Sequence, residues 1–215
     1  MDLAKLIDHT LLKPEATGED IANLCSEAKR YGFYSVCIAP FYVTLAKRLL
    51  RDTGIKVCTV VGFPLGFNTT HIKVLESRNA AARGADELDI VINIGLIKSK
   101  DDHGIVEELK KIIRATPESL HKVIIETPIL TDIEKEKTAL LVVESGAEFI
   151  KTSTGFISDG TTIEDVHLLY KTVGNKIKIK AAGRIRDLKR LEDMLSAGAS
   201  RIGTSSGVRI MDEYL

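Results

Sequence analysis

Residues 122–154 read Lys-Val-Ile-Ile-Glu-Thr-Pro-Ile-Leu-Thr-Asp-Ile-Glu-Lys-Glu-Lys-Thr-Ala-Leu-Leu-Val-Val-Glu-Ser-Gly-Ala-Glu-Phe-Ile-Lys-Thr-Ser-Thr, and this stretch decides the fold. A β-branched run, 122–127, is followed by a helical stretch, 132–145, a break at Ser145-Gly-Ala147, and a second β-branched run, 149–154. The glycine stops the helix just before the strand, as a C-cap glycine does. Strand, helix, strand in that order is one right-handed crossover unit of a parallel sheet.

The unit recurs in both directions. Further strand-like runs lie at 6–10, 35–39, 56–62, 87–93, 177–183 and 201–206, and with the two above they make eight. Helical stretches at 18–31, 43–52, 70–83, 103–115, 163–173 and 188–197 separate them, each with apolar residues at three- and four-residue steps, such as Ile21, Leu24, Cys25 and Ala28. Arg83-Gly84-Ala85 and Ala197-Gly198-Ala199 repeat the glycine stop. Eight units of about 27 residues predict a single α/β domain over 1–215, a compact (β/α)8 TIM barrel. Only nine residues follow Ser206, so the final helix must be rudimentary, with the open flank covered by the N-terminal segment or by another subunit. The competing fold is an open doubly wound sheet, but no G-x-G-x-x-G follows the first strands.

Composition bounds the function. Thirty Lys and Arg balance thirty Asp and Glu, so neither nucleic-acid capture nor another polyanion role is indicated. No run reaches the roughly 20 apolar residues of a membrane span, and 1–12 carries charges where a secretory signal needs its apolar stretch, so a cytoplasmic protein is expected. The absence of Gln beside abundant Lys, Arg and Glu fits a heat-adapted source. Three cysteines, Cys25, Cys37 and Cys58, show no paired spacing that predicts a disulfide framework or a zinc site.

Alternation sorts each strand into faces. In Glu87-Leu-Asp-Ile-Val-Ile-Asn93, the bulky Leu88, Ile90 and Ile92 face the helices, which turns Asp89 inward. The same rule sends Glu126, Lys151 and Ser153 inward, together with Lys178 and Lys180, and it can send Asp8 inward. Most charges on a protein are simply solvated, but both faces of a parallel barrel strand are covered. An interior charge costs several kcal/mol unless paired, so these need either a structural ion network or a catalytic site. Lys151 and Lys180 fall near the ends of consecutive strands, roughly 4.8 Å apart if paired. Crowding and desolvation are expected to lower the pKa of one of them and leave a neutral amine, a nucleophile that forms a Schiff base with a carbonyl. Asp89, Lys180 and a water would move the protons. The loops Ala181-Ala-Gly-Arg184 and Gly203-Thr-Ser-Ser-Gly207 follow strands seven and eight, where barrels frequently bind phosphate; beside the two lysines, that reading outweighs a plain turn.

These residues resemble the deoxyribose-phosphate aldolase family. The likeness is carried by Ile7-Asp-His-Thr-Leu11, Val36-Cys-Ile38, Val60-Val-Gly-Phe-Pro64, Glu87-Leu-Asp89, Lys122-Val-Ile-Ile-Glu-Thr127, Phe149-Ile-Lys-Thr-Ser-Thr-Gly155, Lys180-Ala-Ala-Gly183 and Gly203-Thr-Ser-Ser206. The resemblance implies reversible cleavage of 2-deoxy-D-ribose 5-phosphate into D-glyceraldehyde 3-phosphate and acetaldehyde, in nucleoside catabolism and with no cofactor. It implies Lys151 as the Schiff-base lysine, Lys180 as the lysine that tunes it and relays protons, and Asp89 as the catalytic aspartate. Asp8 would lie near the sugar hydroxyls, Gly155, Gly183, Ser205 and Ser206 match phosphate-loop positions, and Thr154 counts with them as substrate-binding.

The chain departs from the family pattern twice. Arg184 stands where a second glycine is usual, so either the loop shifts or the guanidinium contacts phosphate, and Pro128 stands where a more flexible residue is usual. His9, His71, His103, His121 and His167 show no metal-ligand spacing, which disfavours a metal-dependent aldolase. Lys178 needs a carboxylate such as Glu126 or Asp89, or must snorkel through the barrel floor; the two stay open. Cys37 is read as packing. Small phosphosugars and aldehydes are the expected partners, with a homo-oligomer, dimer or tetramer, from the short final helix and family habit. Two alternatives remain: a Schiff-base aldolase for another phosphosugar, and a catalytically idle phosphosugar-binding protein.

Overall fold

The structure, a computed structural model, describes residues 2–157 and 160–215. Eight strands alternate with helices and close into one parallel barrel, β1 pairing with both β2 and β8. The strands are β1 (Ile7–Leu11), β2 (Ser35–Ile38), β3 (Lys56–Val61), β4 (Glu87–Val91), β5 (Leu120–Ile124), β6 (Phe149–Lys151), β7 (Lys178–Ala182) and β8 (Arg201–Thr204). The helices are α1 (Gly18–Tyr31), α2 (Val43–Leu49), α3 (Thr70–Ala82), α4 (Ile94–Lys98), α5 (Asp102–Ala115), α6 (Asp132–Ser145), α7 (Ile163–Val173), α8 (Leu188–Ser196) and α9 (Gly207–Tyr214). Outward strand residues such as Leu88, Ile90, Val123, Ile150 and Ile179 meet the helices in one apolar layer. No helix among the described residues is long and apolar enough to cross a membrane.

Local chemistry sets the helix ends. Thr17 with Asp20, Thr131 with Glu134 and Thr162 with Asp165 form capping boxes that start α1, α6 and α7. Gly146 ends α6 in the left-handed conformation, at φ 88°. The final helix is two turns long, buries Ile210 and Met211, and packs on α1, α8 and β1. A 3-10 turn, Leu3–Leu6, buries Leu3 and Ala4, and Tyr34 donates its N–H to the carbonyls of Ala4 and Ile7.

The strands differ from expectation where they meet the site. The sixth leaves the ladder after Lys151, three residues earlier than its β-branched run suggests. Thr152 instead exchanges hydrogen bonds with Ala182 through its Oγ1, which accepts from the Ala182 N–H and donates to the Ala182 carbonyl. The fifth ends at Ile124, and Glu126 beyond it adopts φ 56°, ψ 61°.

Candidate active site

Strand register brings the interior charges together. Lys151 on β6 is the Cα partner of Lys180 on β7, and Asp89 on β4 is the partner of Lys122 on β5. The Asp89 carboxylate is the hub: Oδ2 accepts from Lys151 Nζ and from Lys180 Nζ at 2.7 Å each, and Oδ1 accepts from Lys122 Nζ at 2.8 Å. Lys122 also reaches Glu87 at 2.6 Å. Asp8 lies 2.6 Å from Lys180 through one oxygen and accepts from Arg201 Nη1 at 2.8 Å through the other. Gly203 on β8 leaves room for this packing, since a Cβ there would come within 3.0 Å of Lys180 Cε.

The electrostatics follow from this wiring. Burial alone would raise the Asp89 pKa, but Lys122, Lys151 and Lys180 outweigh it and hold the carboxyl well below the usual range. Asp8 is likewise depressed: burial opposes its charge, and Lys180, Lys122 and Arg201 overcome that. Burial works against the Lys180 ammonium, yet Asp8 and Asp89 raise its pKa above the ordinary lysine value. The expectation that two crowded ammonium groups push one another toward neutrality therefore fails for Lys180. A carboxylate sits between it and Lys151, and a second one holds its other side.

A cavity of about 320 Å3 opens above this layer at the C-terminal ends of the strands. Lys151, Thr154, Gly155, Gly183, Arg184 and Ser205 line it, so the Schiff-base candidate and most of the phosphate-loop residues converge. Lys180, Asp89 and Asp8 lie beneath, fully buried, whereas Lys151 keeps 3% exposure. Ser206 faces a neighbouring groove with His9 and Glu27. Arg184 has φ 58°, the positive φ at which arginine carries a steric cost that glycine avoids. Gly183, at φ 101°, has Gly160 Cα only 3.0 Å from where a Cβ would stand.

Several expectations need correction. Lys178 does not pair with Glu126 or Asp89 inside the barrel; in line with the other reading it reaches solvent at the barrel floor, exposed at the start of β7 with its ammonium 5.6 Å from the Phe149 ring centre. Glu126 is buried but engages no lysine, accepting instead from Ser153 Oγ at 2.7 Å and the Thr154 N–H at 3.0 Å. Lys122, Glu87 and Arg201 belong to the charged layer and were not foreseen, although each obeys the same alternation. Lys13 and Arg186 add charge at the cavity mouth, and Phe156 packs edge-on against Phe63 there. Cys37 does more than pack, since it and Cys58 both point at Asp89, at 3.9 and 3.2 Å. A hydrogen bond from Cys58 lowers the Cys37 pKa, while burial raises that of Cys58. Among the described residues these three side chains are the one group with metal-ligand spacing, within 4.8 Å of one another. Three ammonium groups already surround the Asp89 carboxylate, and they oppose any cation there.

Comparison with known proteins agrees with this geometry. The family model described as DeoC/LacD family aldolase matches residues 3–211. A deoxyribose-phosphate aldolase of Thermoanaerobacter pseudethanolicus is 50% identical over 217 residues, covering 100% of this chain and 97% of its own. Among solved structures, the aldolase QR15 superposes with a TM-score of 0.96 at 46% identity, covering 100% of this chain and 96% of that one. A deoxyribose phosphate aldolase from Aeropyrum pernix, described as tetrameric, gives 0.92 at 33% identity, covering 99% and 90%. A closed parallel barrel with a lysine at its mouth, matched along nearly its whole length, places this chain in the DeoC/LacD family of aldolases.

Proposed function

We propose that the chain is a Schiff-base aldolase that reversibly cleaves 2-deoxy-D-ribose 5-phosphate to D-glyceraldehyde 3-phosphate and acetaldehyde. One observation carries this reading: among the described residues Lys151 is the one buried interior lysine that opens to the cavity, with Asp89 Oδ2 2.7 Å from its amine. The linked interior cluster holds Lys122, Lys151, Lys180 and Arg201 against Asp8, Glu87 and Asp89.

The amine adds to the C1 aldehyde of the open-chain sugar, and loss of water leaves an iminium. The iminium accepts the electron pair of the C2–C3 bond as it breaks, the C3 hydroxyl loses its proton, and the three-carbon phosphate leaves as an aldehyde. The remaining enamine takes a proton at C2, and water releases acetaldehyde and restores the amine. Lys180, held charged, supplies positive potential beside the nitrogen, and Asp89, with Lys180 and a water, passes protons. Thr154, Gly155, Gly183 and Ser205 line the phosphate end, joined by the cations of Arg184, Lys13 and Arg186. The relatives' names support this substrate. No step calls on a metal or cofactor. The reading extends to one cytoplasmic barrel domain serving nucleotide catabolism. It also includes a homo-oligomer, in line with the tetrameric Aeropyrum protein and the exposed Ile72 and Leu75 on α3.

The test is to incubate the purified chain with deoxyribose 5-phosphate, and separately with fructose 1,6-bisphosphate, and to assay the aldehydes released. Cleavage of the first, undiminished after dialysis against EDTA, is expected. Preference for the second substrate would indicate another phosphosugar aldolase, and binding without turnover of either would leave a phosphosugar-binding protein.

A further inference from the structure

A second cavity, of about 500 Å3, lies at the opposite end of the barrel. It is formed by the end of α2, the loop that leads into β3 at Lys56, and the turn between α3 and β4. Lys47, Arg48, Arg51, Lys56 and Arg83 border it, against the two carboxylates Asp52 and Asp86. A surplus of three positive charges around one cavity stands out in a chain whose formal charge is zero.

Lys47 and Arg48 end α2, where cations complement the helix dipole, and that alone accounts for those two. Arg83 caps the end of α3, and the same reason covers it, whereas Arg51, on the loop that leads into β3, and Lys56, at the start of that strand, have no such reason to converge. Part of the ring is held in place: Arg83 donates to the Phe41 carbonyl and to Thr44 Oγ1, each at 3.3 Å, and Lys47 is fixed on Asp86 at 2.7 and 2.9 Å. Asp86 is spent on that pair and on the Val57 N–H. Arg48, Arg51 and Lys56 have no side-chain partner among the described residues. Beneath them Leu50 and Ile55 give an apolar floor. A single inorganic phosphate would neither fill this volume nor cover that floor.

We propose that this basal cavity binds an organic polyphosphate, a small molecule with two or three phosphates for Arg48, Arg51 and Lys56 and an organic moiety for Leu50 and Ile55. The site faces away from Lys151, so its occupant does not compete with the sugar phosphate.

Calorimetric titration with ATP and with tripolyphosphate, both free of magnesium and at low ionic strength, tests this. ATP is expected to bind the wild-type chain and to bind more tightly than tripolyphosphate. Arg48→Glu/Arg51→Glu should weaken ATP binding at least tenfold, and Lys56→Ala severalfold, with kcat and KM for aldol cleavage unchanged. Added salt should weaken it further, as screening requires. No binding to the wild type, equal affinity for the two probes, or affinity unaltered by all three substitutions would overturn the proposal. So would competition with the sugar phosphate, which would place ATP in the catalytic cavity.

Discussion

Asp89 accepts from two ammonium groups through one oxygen, so any change at one lysine is felt by the other. Lys180→Leu removes a charge held on Asp8 and Asp89, and about a hundredfold loss in kcat is expected, with a displaced pH-rate profile. An unchanged profile would mean that the pair is not coupled. Arg184→Gly should raise KM for the phosphorylated sugar severalfold and leave cleavage of unphosphorylated deoxyribose unaltered, because Arg184 lines the cavity together with Gly183 and Ser205 of the phosphate-loop positions. Equal effects on both substrates would exclude a phosphate contact. At this scale the alternation of side chains made Asp8, Asp89, Lys151 and Lys180 legible. It left Lys178 undecided because parity sets the face of a residue but not its depth. Lys178 shares a face with Lys180 yet begins the strand, where the barrel opens to water. The exchange of pKa influence through Asp89 was not legible, since it depends on a carboxylate from a strand distant in the chain.

Between elements, the chief buried link outside the barrel joins α3 to α5. Lys73 Nζ lies 2.7 Å from Glu108 Oε1 and donates to the Val91 carbonyl at 2.9 Å, with both side chains out of solvent. Lys73→Met should cost about 3–5 kcal/mol in urea unfolding by stranding a buried carboxylate. Adding Glu108→Leu should recover most of that loss, and a double variant no better than the single one would show that packing, not charge, is at issue. Helix bounds were readable to within a residue or two for most of these elements, because caps such as Thr131 and Gly146 are local signals. The strand ends at Lys151 and Ile124 were not. The chain leaves the ladder there for hydrogen bonds to Thr152 and Glu126, which form only once neighbouring strands are in place.

The barrel as a whole is stabilised by an interior in which most charges are paired. Asp8 and Asp89 have depressed pKa values, so their contribution is complete above the ordinary carboxylate value of 3.8 and is lost as pH falls below it. Lys122 and Lys180 have raised values, so theirs is complete below 10.5 and is lost as pH rises beyond it. Thermal midpoints should thus hold a plateau between these limits and fall on either side. A steep decline near neutrality would contradict the pairing. The closed barrel itself was legible because eight strand–helix units leave few other ways to cover both faces of a parallel sheet.

The most direct test of the chemistry is covalent. The chain is incubated with acetaldehyde and borohydride, digested with trypsin, and its peptides weighed. An ethyl group on Lys151, which blocks cleavage there and yields the peptide 138–171, is the expected result, and it should be absent from Lys151→Ala. An unmodified Lys151, with ethylation confined to surface lysines or found instead on Lys180, would contradict the assignment of Lys151 as the nucleophile.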